Sequence, residues 1–232
     1  MRRFVTWLAA ALISFSSPVL ADDHPVVVEL YTSQGCSSCP PADAYLSTLA
    51  GREDVIALAL HVDYWDYIGW KDDFADPKFT KRQKAYAMAA NRRSVYTPQM
   101  IVNGAEHVIG NHPVDVEELI AKHAKMPDRV SLALSKRGGV LSISAHADRV
   151  MPTPLVVHLV RYEPMQKVKI RGGENAGRDL IYSNIVTEWN RLGDWDTRSP
   201  LNLQAQVRGD DPVVVILQAP GPGPIVAASR LR

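Results

Sequence analysis

Hydrophobic and polar positions change rhythm near Pro127, and the two rhythms predict two kinds of architecture. Before Pro127, short apolar runs alternate with stretches of helical spacing. The run PVVVELYTS (25–33) reads as a strand buried on both faces, and PADAYLSTLAG (41–51) as a helix stopped by Gly51. DVIALALHVDY (54–64) is a second strand. DPKFTKRQKAYAMAANRR (76–93) is a second helix, capped by Asp76 with Pro77 in its first turn. TPQMIV (97–102) and EHVIG (106–110) flank Asn103-Gly104, a strong two-residue hairpin signal, and PVDVEELIAKHAK (113–125) closes the unit as a helix. The predicted order is βαβαββα, a mixed sheet with helices on both faces.

After Pro127 the period becomes two. VSLALSK, VLSISAH, PLVVHLVRY, KVKI, DLIYSNIVTEW, LNLQAQV, PVVVILQA and PIVAASR are short strands separated by Gly and Pro. That spacing predicts an antiparallel β-sandwich over 128–232 with no chemistry of its own.

The chain begins MRRFVTWLAAALISFSSPVLADD, two arginines followed by a short apolar stretch and small residues at Val19 and Ala21. This is the layout of a secretory signal over 1–21, cleaved before Asp22, and it predicts the order signal, α/β domain (22–127), β-sandwich (128–232) in a periplasmic or secreted protein. No later run reaches the roughly 18 apolar residues of a spanning helix, so no stable membrane insertion of the mature chain is expected. Without Arg2 and Arg3, 24 basic residues face 25 acidic ones. A charge so near zero argues against an electrostatic hold on nucleic acid.

In an oxidising compartment the two cysteines, both in TSQGCSSCPP (32–41), admit three readings. The first is a redox dithiol: Cys36 at a helix N-terminus is a stabilised thiolate and nucleophile, and Cys39, one turn later, resolves the mixed disulfide. The second is a structural staple, although closing so short a loop stabilises by only about 2 kcal/mol. The third is a soft metal site, since two thiolates can hold Cu(I) but make a poor zinc site. No cofactor is required by the first reading. With no third cysteine, turnover requires an external redox partner beside the thiol or disulfide protein substrate.

Other stretches add less. HVDYWDYIGWKDDFADP (61–77) carries Asp63, Tyr64, Trp65, Asp66, Tyr67 and Trp70 after the second strand, where Trp65 is a candidate for partner docking and His61 or Asp63 for a metal; packing of the loop is the plainer account. RGGENAGRD (171–179) is a Gly-rich loop without phosphate-loop context, best read as a hairpin or interdomain contact. The histidines show no HxxxH or HExxH spacing and there is no GxSxG, which disfavours zinc proteases and serine hydrolases.

The segments VVELYTSQGCSSCPPADAYL, HVDYWDYIGWKDDFADPKFTKRQKAYA, YTPQMIVNG and GGENAGRDLIYSNIVTEWNRLGDW together resemble the DUF1223 family of secreted bacterial proteins. That resemblance implies a thioredoxin-like fold for the first half, so the expected class is an α/β thioredoxin-like domain followed by an all-β sandwich-like domain. It implies chemistry through the wider thioredoxin superfamily alone. On that pattern Cys36 and Cys39 match the active dithiol, and Thr97-Pro98 matches the cis-proline segment that pairs with an extended substrate. Glu29 matches the buried acid beneath the dithiol, a base of raised pKa for Cys39, although alternation alone is also consistent with a solvent-facing edge position. Two features depart from the pattern: Gly35 stands where a tryptophan is usual, and Pro40 and Pro41 delay the helix. The function expected is thiol-disulfide exchange through Cys36 and Cys39. The alternative is a binding protein, for Cu(I) or a protein partner, in which the pair is a ligand or clasp.

Overall fold

A computed structural model describes residues 24–232; the expected secretory signal at 1–21 lies outside the described residues. Strand β1 (Val26–Thr32) and strand β2 (Val55–His61) are buried along their whole lengths and pair in parallel, as continuous apolar runs do when both faces of a sheet are covered. Between them runs helix α1 (Pro40–Ala50), which starts on two prolines and stops at Gly51. Helix α2 (Pro77–Ala89) follows β2, its first turn capped by the Asp76 carboxylate, which accepts from the Lys78 backbone N–H at 2.8 Å. Strand β3 (Gln99–Val102) runs antiparallel to β1 and joins strand β4 (Glu106–Ile109). Asn103 and Gly104 make that turn, both with positive φ, as a tight hairpin needs. Helix α3 (Pro113–Ala124) completes this half.

The second half does not stand apart as a sandwich. Strands β7 (Leu155–Lys169), β8 (Asp179–Trp195), β10 (Val213–Gln218) and β11 (Ile225–Leu231) continue the first sheet, in the order β11-β10-β7-β8-β2-β1-β3-β4. The join is a parallel pairing of β8 with β2 at Ala59 and Ile185. Strands β5 (Val130–Arg137), β6 (Val140–Ala147) and β9 (Leu201–Gln206) form a separate three-stranded sheet. The expectation of a thioredoxin-like α/β domain followed by an all-β sandwich is therefore corrected to one mixed eight-stranded sheet with a small second sheet. The physical reason lies at β2. Seven buried residues leave no solvent-facing edge, and β8 supplies the missing neighbour. Alternation in the second half marks its strands but not the edge on which they add. Pro164 also misleads, because it divides a single 15-residue strand at a point beyond the last residue of β7 that pairs with β10.

Residue parity assigns the two faces of the large sheet. Val27, Tyr31, Ile56, Leu58 and Leu60 pack with Phe79 and Tyr86 of α2, in one core that continues to Val160, Val214 and Ile216. Val28, Leu30, Ala57 and Ala59 point the other way, onto α1 and α3. On that second face the small sheet covers the β7–β10 end, through Leu141, Ile143, Val157, Val213 and Val215.

Candidate active site

The chain leaves β1 at Thr32 and makes a turn before α1 begins. Cys36 and Cys39 lie in this turn, joined by a disulfide with Cα atoms 5.4 Å apart. Cys39 is the N-cap of α1 and Pro40 and Pro41 occupy the first helical positions, so Cys36 sits on the turn before the helix, the delayed start that the two prolines lead one to expect. Cys39 is fully buried and Cys36 retains 2% exposure, while Ser37 and Ser38 stand in solvent above them. Cys36 is thus the marginally more exposed of the two.

Three segments hold the turn. The Thr97-Pro98 bond is cis, and the Ser38 hydroxyl faces the Thr97 carbonyl at 3.5 Å. Trp65 donates its indole N–H to the Thr97 hydroxyl at 2.8 Å, so it positions the proline segment besides facing outward. The Trp65 segment also explains Gly35: a Cβ there would meet Trp65 Cβ and its carbonyl oxygen at 3.3 Å and Ile68 Cδ1 at 3.2 Å. The third support comes from the far end of the chain. Asn175, buried, donates from Nδ2 to the carbonyls of Gln34 and Cys36, both at 2.9 Å. Its loop approaches so closely that a Cβ on Gly172 would lie 2.6 Å from the Gly69 carbonyl oxygen. The Gly-rich stretch therefore serves the cysteine turn directly.

Glu29 is buried, but not beneath the disulfide. Its parity places it with Val27 and Tyr31 on the α2 face, whereas Cys39 opens the helix on the other face. Arg82 clamps it with two bonds, Nε to Oε2 at 2.7 Å and Nη2 to Oε1 at 2.8 Å, and the hydroxyls of Tyr86 and Tyr31 donate at 2.7 and 2.9 Å. Burial pushes the carboxyl up, yet Arg82 and the two tyrosines together hold it below its ordinary value. A carboxylate with a lowered pKa, bonded by Arg82, Tyr86 and Tyr31 on the face away from α1, does not fit the base of raised pKa expected beneath Cys39, which corrects the role expected of Glu29.

The acid on the correct face is Asp43, which sequence reasoning missed. It follows Cys39 by one helical turn, and its backbone N–H donates to the Cys39 carbonyl at 3.1 Å, so both side chains share the buried face of α1. Beneath it lie Thr32 and His61, the last residues of β1 and β2, which are register partners, and Tyr182 of β8. Both Asp43 carboxylate oxygens, Thr32 Oγ1, His61 Nε2 and Tyr182 OH are buried without a hydrogen-bond partner. Burial raises the Asp43 pKa to about 7, with His61 and the nearby Thr32 hydroxyl pulling it back and Asp72 adding to the rise. The other ring nitrogen of His61, Nδ1, bonds Asp72 Oδ2 at 2.7 Å. Asp72 also accepts from the backbone N–H groups of Gln34 and Phe74 at 2.8 and 2.9 Å; burial works against its charge, but His61 and these amides hold its pKa below the ordinary value. An ionised Asp72 fixes the His61 proton on Nδ1 and leaves Nε2 for the cluster under α1. Among the described residues no three His, Cys, Asp or Glu side chains are grouped to hold a metal ion.

The chain matches the family described as "Protein of unknown function (DUF1223)" over residues 27–218. It belongs to that family. No curated protein matches it. Among solved structures, the DUF1223 chain is similar to protein AGR_C_4864 from Agrobacterium tumefaciens, at 34% identity and a TM-score of 0.77 over 90% of this chain and 95% of that one. It also shares its fold with HBP35 of Porphyromonas gingivalis, at 16% identity and a TM-score of 0.61 over 90% and 75% of the two chains.

Proposed function

We propose that this DUF1223 protein exchanges thiols and disulfides, with Cys36 as the sulfur attacked or attacking and Cys39 as its resolving partner. The observation that carries the reading is the Cys36–Cys39 disulfide beside the cis Thr97-Pro98 segment, reached through Ser38, with the buried Asp43 one helical turn after Cys39. In the reducing direction the Cys36 thiolate attacks a substrate disulfide, forming a mixed disulfide and releasing one substrate thiolate. The Cys39 thiol then gives its proton to the Asp43 carboxylate and attacks Cys36, which closes the internal disulfide and releases the second substrate thiolate. The oxidising direction is the same sequence reversed. A thiol or disulfide partner outside the chain resets the pair in either case. Such a pair persists as a disulfide in an exported protein, which agrees with the secretory pattern of the first 21 residues.

The helix contributes little activation to Cys36, because Cys39 and the prolines take its first positions. The burden of proton management falls instead on Asp43, whose carboxyl titrates near neutrality. Mixing the Cys39→Ala variant with a disulfide-bonded peptide tests the reading. Stable adducts through Cys36 are expected, with Cys36→Ser forming none. A wild-type protein inert toward both thiol and disulfide peptides, with its own bond resisting reduction below about −300 mV, identifies a structural clasp instead.

A further inference from the structure

A groove of about 420 Å³ opens beside the cysteine turn, lined by Ser38, Arg92, Tyr96, Pro98, Ile109 and Asn111 together with Thr97. Three of its properties bear on what enters it. Its floor is the proline segment, where the chain has not yet joined the ladder that begins at Gln99. Its margin is apolar at Ile109, which is 45% exposed; behind Thr97, Trp65 bonds the Thr97 hydroxyl and carries Tyr67, 80% exposed, stacked on it with ring centroids 6.4 Å apart. Its only charged lining residue is Arg92, and no acid lines it. Among the described residues the Arg92 guanidinium makes no ion pair or hydrogen bond, in contrast to Arg52, Arg82, Arg191 and Arg230, each of which meets a carboxylate. Its field also reaches inward: burial and Arg92 together lower the pKa of His107.

A large exposed apolar side chain costs solubility, and an uncompensated cation in the same groove favours one class of occupant. From this we infer that the groove selects an extended polypeptide segment in which an acidic residue, flanked by an apolar one, lies close to the cysteine undergoing exchange. The inference rests on the exchange reading, since it names the substrate class for the same cysteines. The segment lies along Thr97-Pro98, its acidic side chain meets Arg92, and its apolar neighbour covers Ile109. Arg92 contacts the substrate and determines preference, while Cys36 and Cys39 perform the chemistry.

The test compares two disulfide-linked peptides that are identical except for Glu or Lys beside the cysteine, with the full chain and its Arg92→Glu variant. For the wild type, kcat/KM is expected to be roughly fivefold higher for the Glu peptide, because a rim attraction replaces a rim repulsion. Arg92→Glu reverses the order, while Arg93→Glu, a neighbouring exposed cation outside the groove, leaves it unchanged. The preference shrinks with added salt. Equal rates on both peptides overturn the inference and leave the exchange reading intact. So does a preference for glutathione disulfide over both peptides. A parallel calorimetric titration with the same peptides carrying Ser for Cys separates the two claims. Glu-dependent affinity without any exchange keeps the groove assignment and overturns the redox reading, whereas affinity blind to the charge overturns the groove assignment.

Discussion

Two buried acids lie on opposite faces of the same sheet, and their surroundings differ in almost every respect. Glu29 is met by a guanidinium and two tyrosine hydroxyls, and its four bonds leave it ionised. Arg82 is itself held by more than Glu29, through Gln218 at 3.0 Å and the face of Trp189 at 3.8 Å. Asp43 is buried too, but it meets no fixed cation and has only the Thr32 hydroxyl for a donor, outside good hydrogen-bond geometry. Its neighbours are another acid, a histidine whose first bond is spent on Asp72, and a tyrosine. Burial alone thus does not decide protonation; the presence or absence of a fixed counter-charge does. One acid belongs to stability and the other is free to move a proton.

The comparison breaks most visibly if each acid is removed. Glu29→Ala strands the Arg82 guanidinium, 11% exposed, without its counter-charge, and leaves the Tyr31 hydroxyl unpartnered. Loss of about 3–5 kcal/mol of unfolding free energy is expected in urea titrations. At temperatures where the variant remains folded, its rate of thiol-disulfide exchange stays near that of the wild type. A stable Glu29→Ala protein with abolished exchange would return Glu29 to the role of base.

The two acids also give stability opposite dependences on pH. Glu29, with its pKa lowered by folding, contributes stability that is complete above its unfolded value and lost as pH falls through its folded one. Asp43 binds its proton more tightly folded than unfolded, its pKa rising from 3.8 to about 7. Stability is therefore expected to fall as pH rises from about 4 to about 7 and to level off beyond, by up to about 4 kcal/mol from this group. Asp43→Asn removes that decline, so the variant is the more stable protein at pH 8 and near parity at pH 4. Identical pH profiles for the two proteins would mean that Asp43 does not titrate in the folded chain.

Asp43→Asn sharpens the comparison kinetically as well. With the proton acceptor gone, release of a mixed disulfide slows about a hundredfold while its formation is little changed, and the step near pH 7 in the release rate disappears. Equal loss in both steps marks Asp43 as structural. Because the amide keeps the shape of the carboxyl, unfolding does not confuse the result, and the stability gain at pH 8 checks this independently.

How much of this was legible depends on which physical signal carried it. Apolar runs gave β1 and β2, Asn103-Gly104 gave the hairpin, and CSSC between a strand and a helix gave the cysteine turn, because each signal is local. Glu29 was misplaced by parity. In a strand buried throughout, alternation in burial vanishes, and the sequence no longer tells which face carries α1. Asp43 was hidden by position, since an acid in the first turn of a helix reads as a partner of the helix dipole. His61 stood out and Asp72 did not, because the bond joining them depends on how the loop from Val62 folds back. The join of β8 to β2 rests on a single register pair, between residues 126 positions apart in the chain, and no local pattern announces it.

Asn175 offers the finest adjustment of the contrast, since it is the one side chain from the second half that bonds the Cys36 carbonyl. It gives two donor bonds to the turn and takes one from Arg178 Nη1 at 3.0 Å. Asn175→Ala leaves the carbonyls of Gln34 and Cys36 without these donors, and a loss of about 1–2 kcal/mol is expected. The effect should be local. Hydrogen exchange is expected to accelerate in residues 33–39 and to remain unchanged around Glu29, because Asn175 touches the open side of the sheet end and none of the Arg82 cluster. Asn175→Asp is the stricter probe. It keeps the bond to Arg178 but turns an oxygen toward two carbonyl oxygens, so it destabilises the turn more than alanine does while preserving volume. Equal protection of residues 33–39 in all three proteins would show that the second half merely packs behind the cysteine turn, and that the turn is held from within the first half.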